Sequence, residues 1–224
     1  MKTEFTKRVL SSIIIAPIAL FFIIKGSVFF DFFLCVIFFV TVFEWLKMSK
    51  KLKMIKFFGI LFLFLSILNA YFLRNTYGAE IFVFVILISI LTDLGGYIFG
   101  KIFKGPKLTK ISPNKTYSGA IGSFIASLIG SLIYIEYISN SSLLSFQNGY
   151  APHSIEHILL TLFIILVISL ISQIGDLTIS YFKRLAKIKD TGSILPGHGG
   201  LLDRIDGIIF AIPFSYIIFN FTIY

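Results

Sequence analysis

Between Ser180 and Gly207 the chain reads SYFKRLAKIKDTGSILPGHGGLLDRIDG, a dense run of Lys, Arg, Asp and His with a glycine-rich turn, set between two strongly apolar segments. Carboxylates hold Mg²⁺, which keeps several of its waters and bridges substrate phosphates. Lys and Arg neutralise the phosphate charge that remains. Gly192, Gly197, Gly199 and Gly200 let backbone N–H groups come close to a phosphate, although glycines alone would also suit an ordinary turn. The residue types therefore point to metal-assisted phosphate chemistry. Lys183, Arg184, Lys189, Asp190, His198, Asp203, Arg204 and Asp206 are its candidates in this stretch. His198, between glycines, suits a phosphate contact or a proton-donating role, with a structural histidine as the alternative. A zinc site is a poor fit, because His153 and His157 fall on the far side of the membrane in the topology below and Cys35 is remote.

Two more carboxylates lie inside apolar segments, where an ionisable group is costly and points to function. Asp93 comes eight residues before Lys101, and Asp176 seven before Lys183. A helical rise puts both roughly 10–12 Å from the basic ends of their helices, at matching depth. Asp203 and Asp206 follow with the i, i+3 spacing of one helix face, at a helix start that favours anions. We expect Asp176 and Asp203 to bind Mg²⁺ directly, the 27 residues between them folding back to bring both to one ion. Asp190 and Asp206 then stand behind them as partners of Lys189 and Arg204. A second polar region, Thr92 to Ser123, carries Asp93 and the sequence SPNKT, which offers the hydroxyls of Ser112 and Thr116 and the ammonium of Lys115. Gly95, Gly96 and Gly100 thin one helix face for close packing. Its lysines would also attract an anionic leaflet, by about 1 kcal/mol each.

The elements that must hold these groups are membrane spans. Of 224 residues 57% are hydrophobic, 14% are charged and 27 are Phe, more apolar surface than a soluble domain of this length can cover. Seven segments are predicted, at about Val9–Ile24, Val28–Leu46, Phe57–Leu73, Ile81–Phe99, Ala120–Tyr137, Ile158–Phe182 and Ile205–Tyr224. With seven, 18 of the 20 Lys and Arg fall on one side and only Lys25 and Arg74 on the other. The positive-inside rule then places the N-terminus and the polar site in the cytoplasm, at the inner membrane. The formal charge of +9 is thus explained by basic loops and not by nucleic acid. The N-terminal twenty residues are expected to form an uncleaved first span and not a signal peptide, since no convincing small-x-small cleavage site follows. One membrane domain, residues 1–224, is expected, with N-terminal spans to about residue 80 and catalytic spans and loops from 81 to 224. The lone Cys35 excludes an intramolecular disulfide.

The run Ser180, Lys183-Arg184, Lys189-Asp190, Leu195-Pro196-Gly197-His198-Gly199-Gly200, Asp203-Arg204-Ile205-Asp206 resembles the signature of the phosphatidate cytidylyltransferases (CDP-diacylglycerol synthases) over 27 residues. Asp93 to Gly122 resembles that family's other polar region. Departures are Gly96 where the family commonly has Ala, and Tyr117-Ser118-Gly119 where Trp-Glu-Gly is common, which leaves no acid at position 118. Seven spans is also fewer than the eight or nine usually drawn. The resemblance implies transfer of CMP from CTP to phosphatidate, giving CDP-diacylglycerol and pyrophosphate, with Mg²⁺, a second metal ion such as K⁺ being left open, and a homodimer. Residue chemistry and resemblance together assign Lys183, Arg184, Asp190, His198, Arg204 and Asp206 to catalysis. They assign Asp93, Ser112, Lys115, Thr116, Lys189, Gly199 and Gly200 to substrate binding, and Asp176 and Asp203 to metal. The rival classes are a CDP-alcohol phosphatidyltransferase, whose Ala-Arg after Asp-Gly is missing at Asp206-Gly207, a transporter, and a prenol kinase.

Overall fold

The computed structural model describes residues 2–49, 53–109, 111–140, 155–194 and 199–222. His153, His198, Lys50, Lys51 and Lys110 lie outside the described residues. Among those described, the chain forms α1 (Lys2–Lys25), α2 (Ser27–Met48), α3 (Lys53–Phe103), α4 (Tyr117–Asn140), α5 (Ile155–Leu185), a single turn α6 (Leu202–Ile205) and α7 (Ile208–Thr222). No strand is present among them. Helices are what an apolar solvent dictates, because they satisfy every backbone group within the segment. Four helices, α2 to α5, are long and apolar enough to cross a membrane, and Ile14–Lys25 and α7 are shorter apolar helices. Their outer faces carry Phe29, Phe32, Phe39, Phe43, Phe57 and Phe64, all exposed.

The predicted third and fourth segments are joined in α3, which has 51 residues. Gly78 interrupts it with φ 87° and ψ 172°, a conformation that favours glycine. Both ends of α3 then reach the same end of α5. The Trp45 indole N–H donates to Lys56 O near the first end, and its ring packs edge-on against Phe182. Beyond the other end, Lys115 pairs with Asp176. The helix therefore doubles back at Gly78 into limbs 53–77 and 79–103.

The first limb runs parallel to α7, through Ser66 Oγ to Ile209 O (2.7 Å) and Tyr77 Oη to Asn220 Oδ1 (2.7 Å). The first of these bonds has a local cause. Pro213 has no N–H for the carbonyl four residues earlier, which is that of Ile209, and Ser66 takes the vacated place. The second limb runs antiparallel to α4, through Ser123 Oγ to Thr92 O and Tyr134 Oη to Glu80 O. Here a side chain on Gly119 would come 2.8 Å from Gly96 O, so only glycine permits this approach. The seventh predicted segment starts later than expected, with α7 at Ile208: a separate turn, α6, carries Asp203, and the chain turns at Asp206-Gly207, so Asp203 and Asp206 do not open one continuous helix. Two buried clusters result. One gathers Phe30, Leu73, Val85, Ile88, Ile165 and Ile168. The other, at the polar end, gathers Trp45, Leu63, Ile179, Leu202 and Ile209 and pins α6 in place.

Candidate active site

The connection from α3 to α4 folds back on itself. Leu108 N–H donates to Lys115 O (2.8 Å), Lys115 N–H to Ser112 O (3.0 Å), and Lys107 bridges Thr116. Thr116 then caps α4, its hydroxyl accepting Gly119 N–H at 3.1 Å. This arrangement carries the Lys115 ammonium to the Asp176 carboxylate on α5. The two charges sit at the edge of a cavity of about 310 Å³ that Asp93, Ser112, Asn114, Thr116 and Gln173 also line. Ser180 Oγ donates to Asp176 Oδ1 at 3.3 Å. Gln173 Nε2 is buried with no partner, a free donor in a residue of the cavity wall.

Asp206 is 5% exposed, and the charges of Asp176, Asp93 and Lys183 all act on it. The Arg204 side chain is exposed, and its charge reaches Asp93. Asp203 is the anchor of the loop between α5 and α6. Its Oδ1 takes the Lys183 ammonium (2.8 Å), and its Oδ2 accepts Thr191 N–H (2.8 Å), Thr191 Oγ1–H (3.0 Å) and Gly200 N–H (3.0 Å). Burial pushes this carboxyl up, but the Lys183 bond and the Thr191 and Gly200 N–H groups outweigh it and hold the group below the usual carboxylate range.

The structure thus brings Asp93, Ser112, Lys115, Thr116 and Asp176 to one cavity, with Lys183, Asp203 and Asp206 beside it. It does not bring all candidates there. Arg184, Lys189 and Asp190 are exposed, and the Arg184 guanidinium reaches Ile188 O at 3.4 Å. Gly199 has φ 87° and abuts Asp203 and Asp190, while Gly200 has given its N–H to Asp203. Among the described residues no three His, Cys, Asp or Glu converge as a ligand set. Asp176 and Asp203 each hold an ammonium, Lys115 and Lys183 respectively. The cavity still suits Mg²⁺, which takes hard oxygens and needs only one or two protein carboxylates.

Two residues escape a reading by signature. Gln173 looks like one more polar residue of a span. Glu44 is one of two acids in the second span, with Asp31, and gives the same signal that singles out Asp93 and Asp176; Asp31 is exposed. Glu44 is 1% exposed, accepts Leu201 N–H (2.9 Å) and Leu202 N–H (2.8 Å), and competes with Asp203 for the Thr191 Oγ1–H, 3.0 Å away.

Residues 52–222 match the cytidylyltransferase family. The chain is similar to the phosphatidate cytidylyltransferase of Brucella suis biovar 1, 36% identical over 162 residues, which is 71% of this chain and 54% of that one. It is also similar to those of Staphylococcus saprophyticus (36% over 172 residues, 76% and 58%) and Staphylococcus haemolyticus (39% over 137 residues, 61% and 47%). It spans about half the length of these curated relatives. A family match over most of the described helices, agreeing with carboxylates and ammonium groups gathered at one end of an apolar bundle, places this chain in the cytidylyltransferase family.

Proposed function

We propose that the protein transfers CMP from CTP to phosphatidate, releasing pyrophosphate and forming CDP-diacylglycerol. The observation that carries this is the cavity, lined by Asp93, in which the Asp176 carboxylate pairs with the Lys115 ammonium, at the same end of the bundle as Lys183 and Asp203. A phosphatidate phosphate oxygen attacks the α-phosphorus of CTP. The bond from that phosphorus to the bridging oxygen breaks, and pyrophosphate leaves with the electron pair. The protein's share is orientation and charge neutralisation. Lys115 and Lys183 face the phosphates. Gln173 Nε2, Ser112 and Asn114 supply neutral hydrogen bonds. Mg²⁺, when bound, would neutralise the triphosphate and polarise the reacting phosphoryl oxygen, with Asp176 holding it and Asp203 joining if Lys183 turns to substrate. A second cation such as K⁺ and a homodimer belong to the proposal on resemblance alone. Purified protein in detergent is expected to form CDP-lipid and pyrophosphate from CTP and phosphatidate. Phosphoryl transfer from CTP to a prenol, with no CDP-lipid, would overturn the assignment in favour of a lipid kinase.

The proposal includes seven crossings of the inner membrane with the cavity on the cytoplasmic side. Its support is that α3, at 51 residues, is far longer than the roughly 20 needed to cross and doubles back at Gly78. The basic loops lie at the cavity end, where soluble CTP and membrane-bound phosphatidate can meet. In a Cys35→Ser background, Lys104→Cys and Lys187→Cys are expected to resist an impermeant thiol reagent in intact cells, and His153→Cys to react. The reverse pattern would put the cavity on the wrong side for CTP.

A further inference from the structure

We infer that Glu44 is a positioning residue, a brace from α2 that sets the loop between α5 and α6 and, through it, Asp203 and Lys183. This deepens the proposed cytidylyl transfer and rests on it for the catalytic arm only. The first amides of a helix have no partner within it. Those of α6 find theirs on a different span: Glu44 Oε1 accepts Leu201 N–H and Oε2 accepts Leu202 N–H. The fit is close on every side. A side chain on Gly192 would come 2.7 Å from Glu44 Oε1, and one on Gly200 would come 2.6 Å from Glu44 Oε2. These glycines therefore leave room for the brace.

Glu44 and Asp203 are linked through Thr191. Its Oγ1 stands 3.0 Å from Glu44 Oε2 and 3.0 Å from Asp203 Oδ2. One hydroxyl has one proton, so Thr191 can donate to only one of the two carboxylates at a time. The loop amides of Thr191, Gly200, Leu201 and Leu202 are consumed by the two carboxylates together. They hold the loop, and through Asp203 they place the Lys183 ammonium. Glu44 precedes residue 52, where the family match begins.

Glu44→Gln keeps the shape but puts an amide N–H₂ where an acceptor is needed. Hydrogen exchange of the full chain in detergent is expected to speed up about 10-fold or more at the Thr191, Gly200, Leu201 and Leu202 amides, with α4 unchanged. Gly192→Ala, which pushes on the same carboxylate from the other side, should do the same. For CDP-diacylglycerol formation, kcat should fall about 10²-fold with the KM for CTP within about two-fold, because misplacing a catalytic group costs rate more than ground-state binding. Unchanged exchange in both variants would overturn the brace. Faster exchange with unchanged kcat would overturn its role in positioning. If the wild-type protein forms no CDP-lipid, the proposed reaction fails, yet the exchange measurement still decides the brace.

Discussion

Asp176→Asn is expected to lower CDP-diacylglycerol formation by about 10²–10³-fold, the usual cost of removing one preorganised electrostatic group from a reacting centre. Asn keeps the size of the side chain and deletes the charge. Two separate losses follow. Lys115 loses its partner, and the cavity loses the carboxylate best placed for a cation. Lys115→Met alone separates the two, because it removes the ammonium and leaves the carboxylate. If Asp176 acts on the metal, the Asp176→Asn enzyme needs far more Mg²⁺ for its residual rate, whereas the Lys115→Met enzyme shows a raised KM for CTP at ordinary Mg²⁺. Asp176→Asn with near-normal activity at limiting Mg²⁺ would remove Asp176 from the metal.

Lys183→Met should cost a similar factor, about 10²-fold or more, while Lys53→Met costs less than about two-fold. The reason is geometric. Lys183 is mostly buried, 12% exposed at the side chain, and its ammonium has three protons of which Asp203 takes one. The others are available to a phosphate. Asp203 keeps its bonds from Thr191 and Gly200 when Lys183 is lost, so the loop should stay in place. Thermal midpoints of the two variants within a few degrees, with activities far apart, would locate the effect in the site. Equal activities would reduce Lys183 to a surface charge like any other.

Much of this site was legible because charge in an apolar chain is conspicuous. Counting back from Lys101 and Lys183 puts Asp93 and Asp176 at one depth, and the two line one cavity. The end of the sixth span, near Lys183-Arg184, is also where α5 ends. What the sequence could not supply is pairing across distance. Nothing local says that Lys115 will lie on Asp176, or that Lys183 will take Asp203 while Arg184 next to it points outward. The signature treats those two cations alike, and helix geometry separates them, since neighbours on a helix face different ways. The glycines near Gly200 read as a phosphate cradle, yet the Gly200 amide is engaged by Asp203 and its missing side chain makes room for Glu44. The turn at Asp206-Gly207 was hidden by the apolar run after it.

Glu44 also bears on where this protein can be divided. Sequence similarity draws its line at residue 52, as though the first two helices were a detachable anchor. A chain trimmed to that line would keep every charged residue of the signature. It would also leave the Leu201 and Leu202 amides without their acceptor, at a place walled off by Leu202, itself wholly buried. The module that can be recognised is therefore smaller than the set of residues that holds these amides.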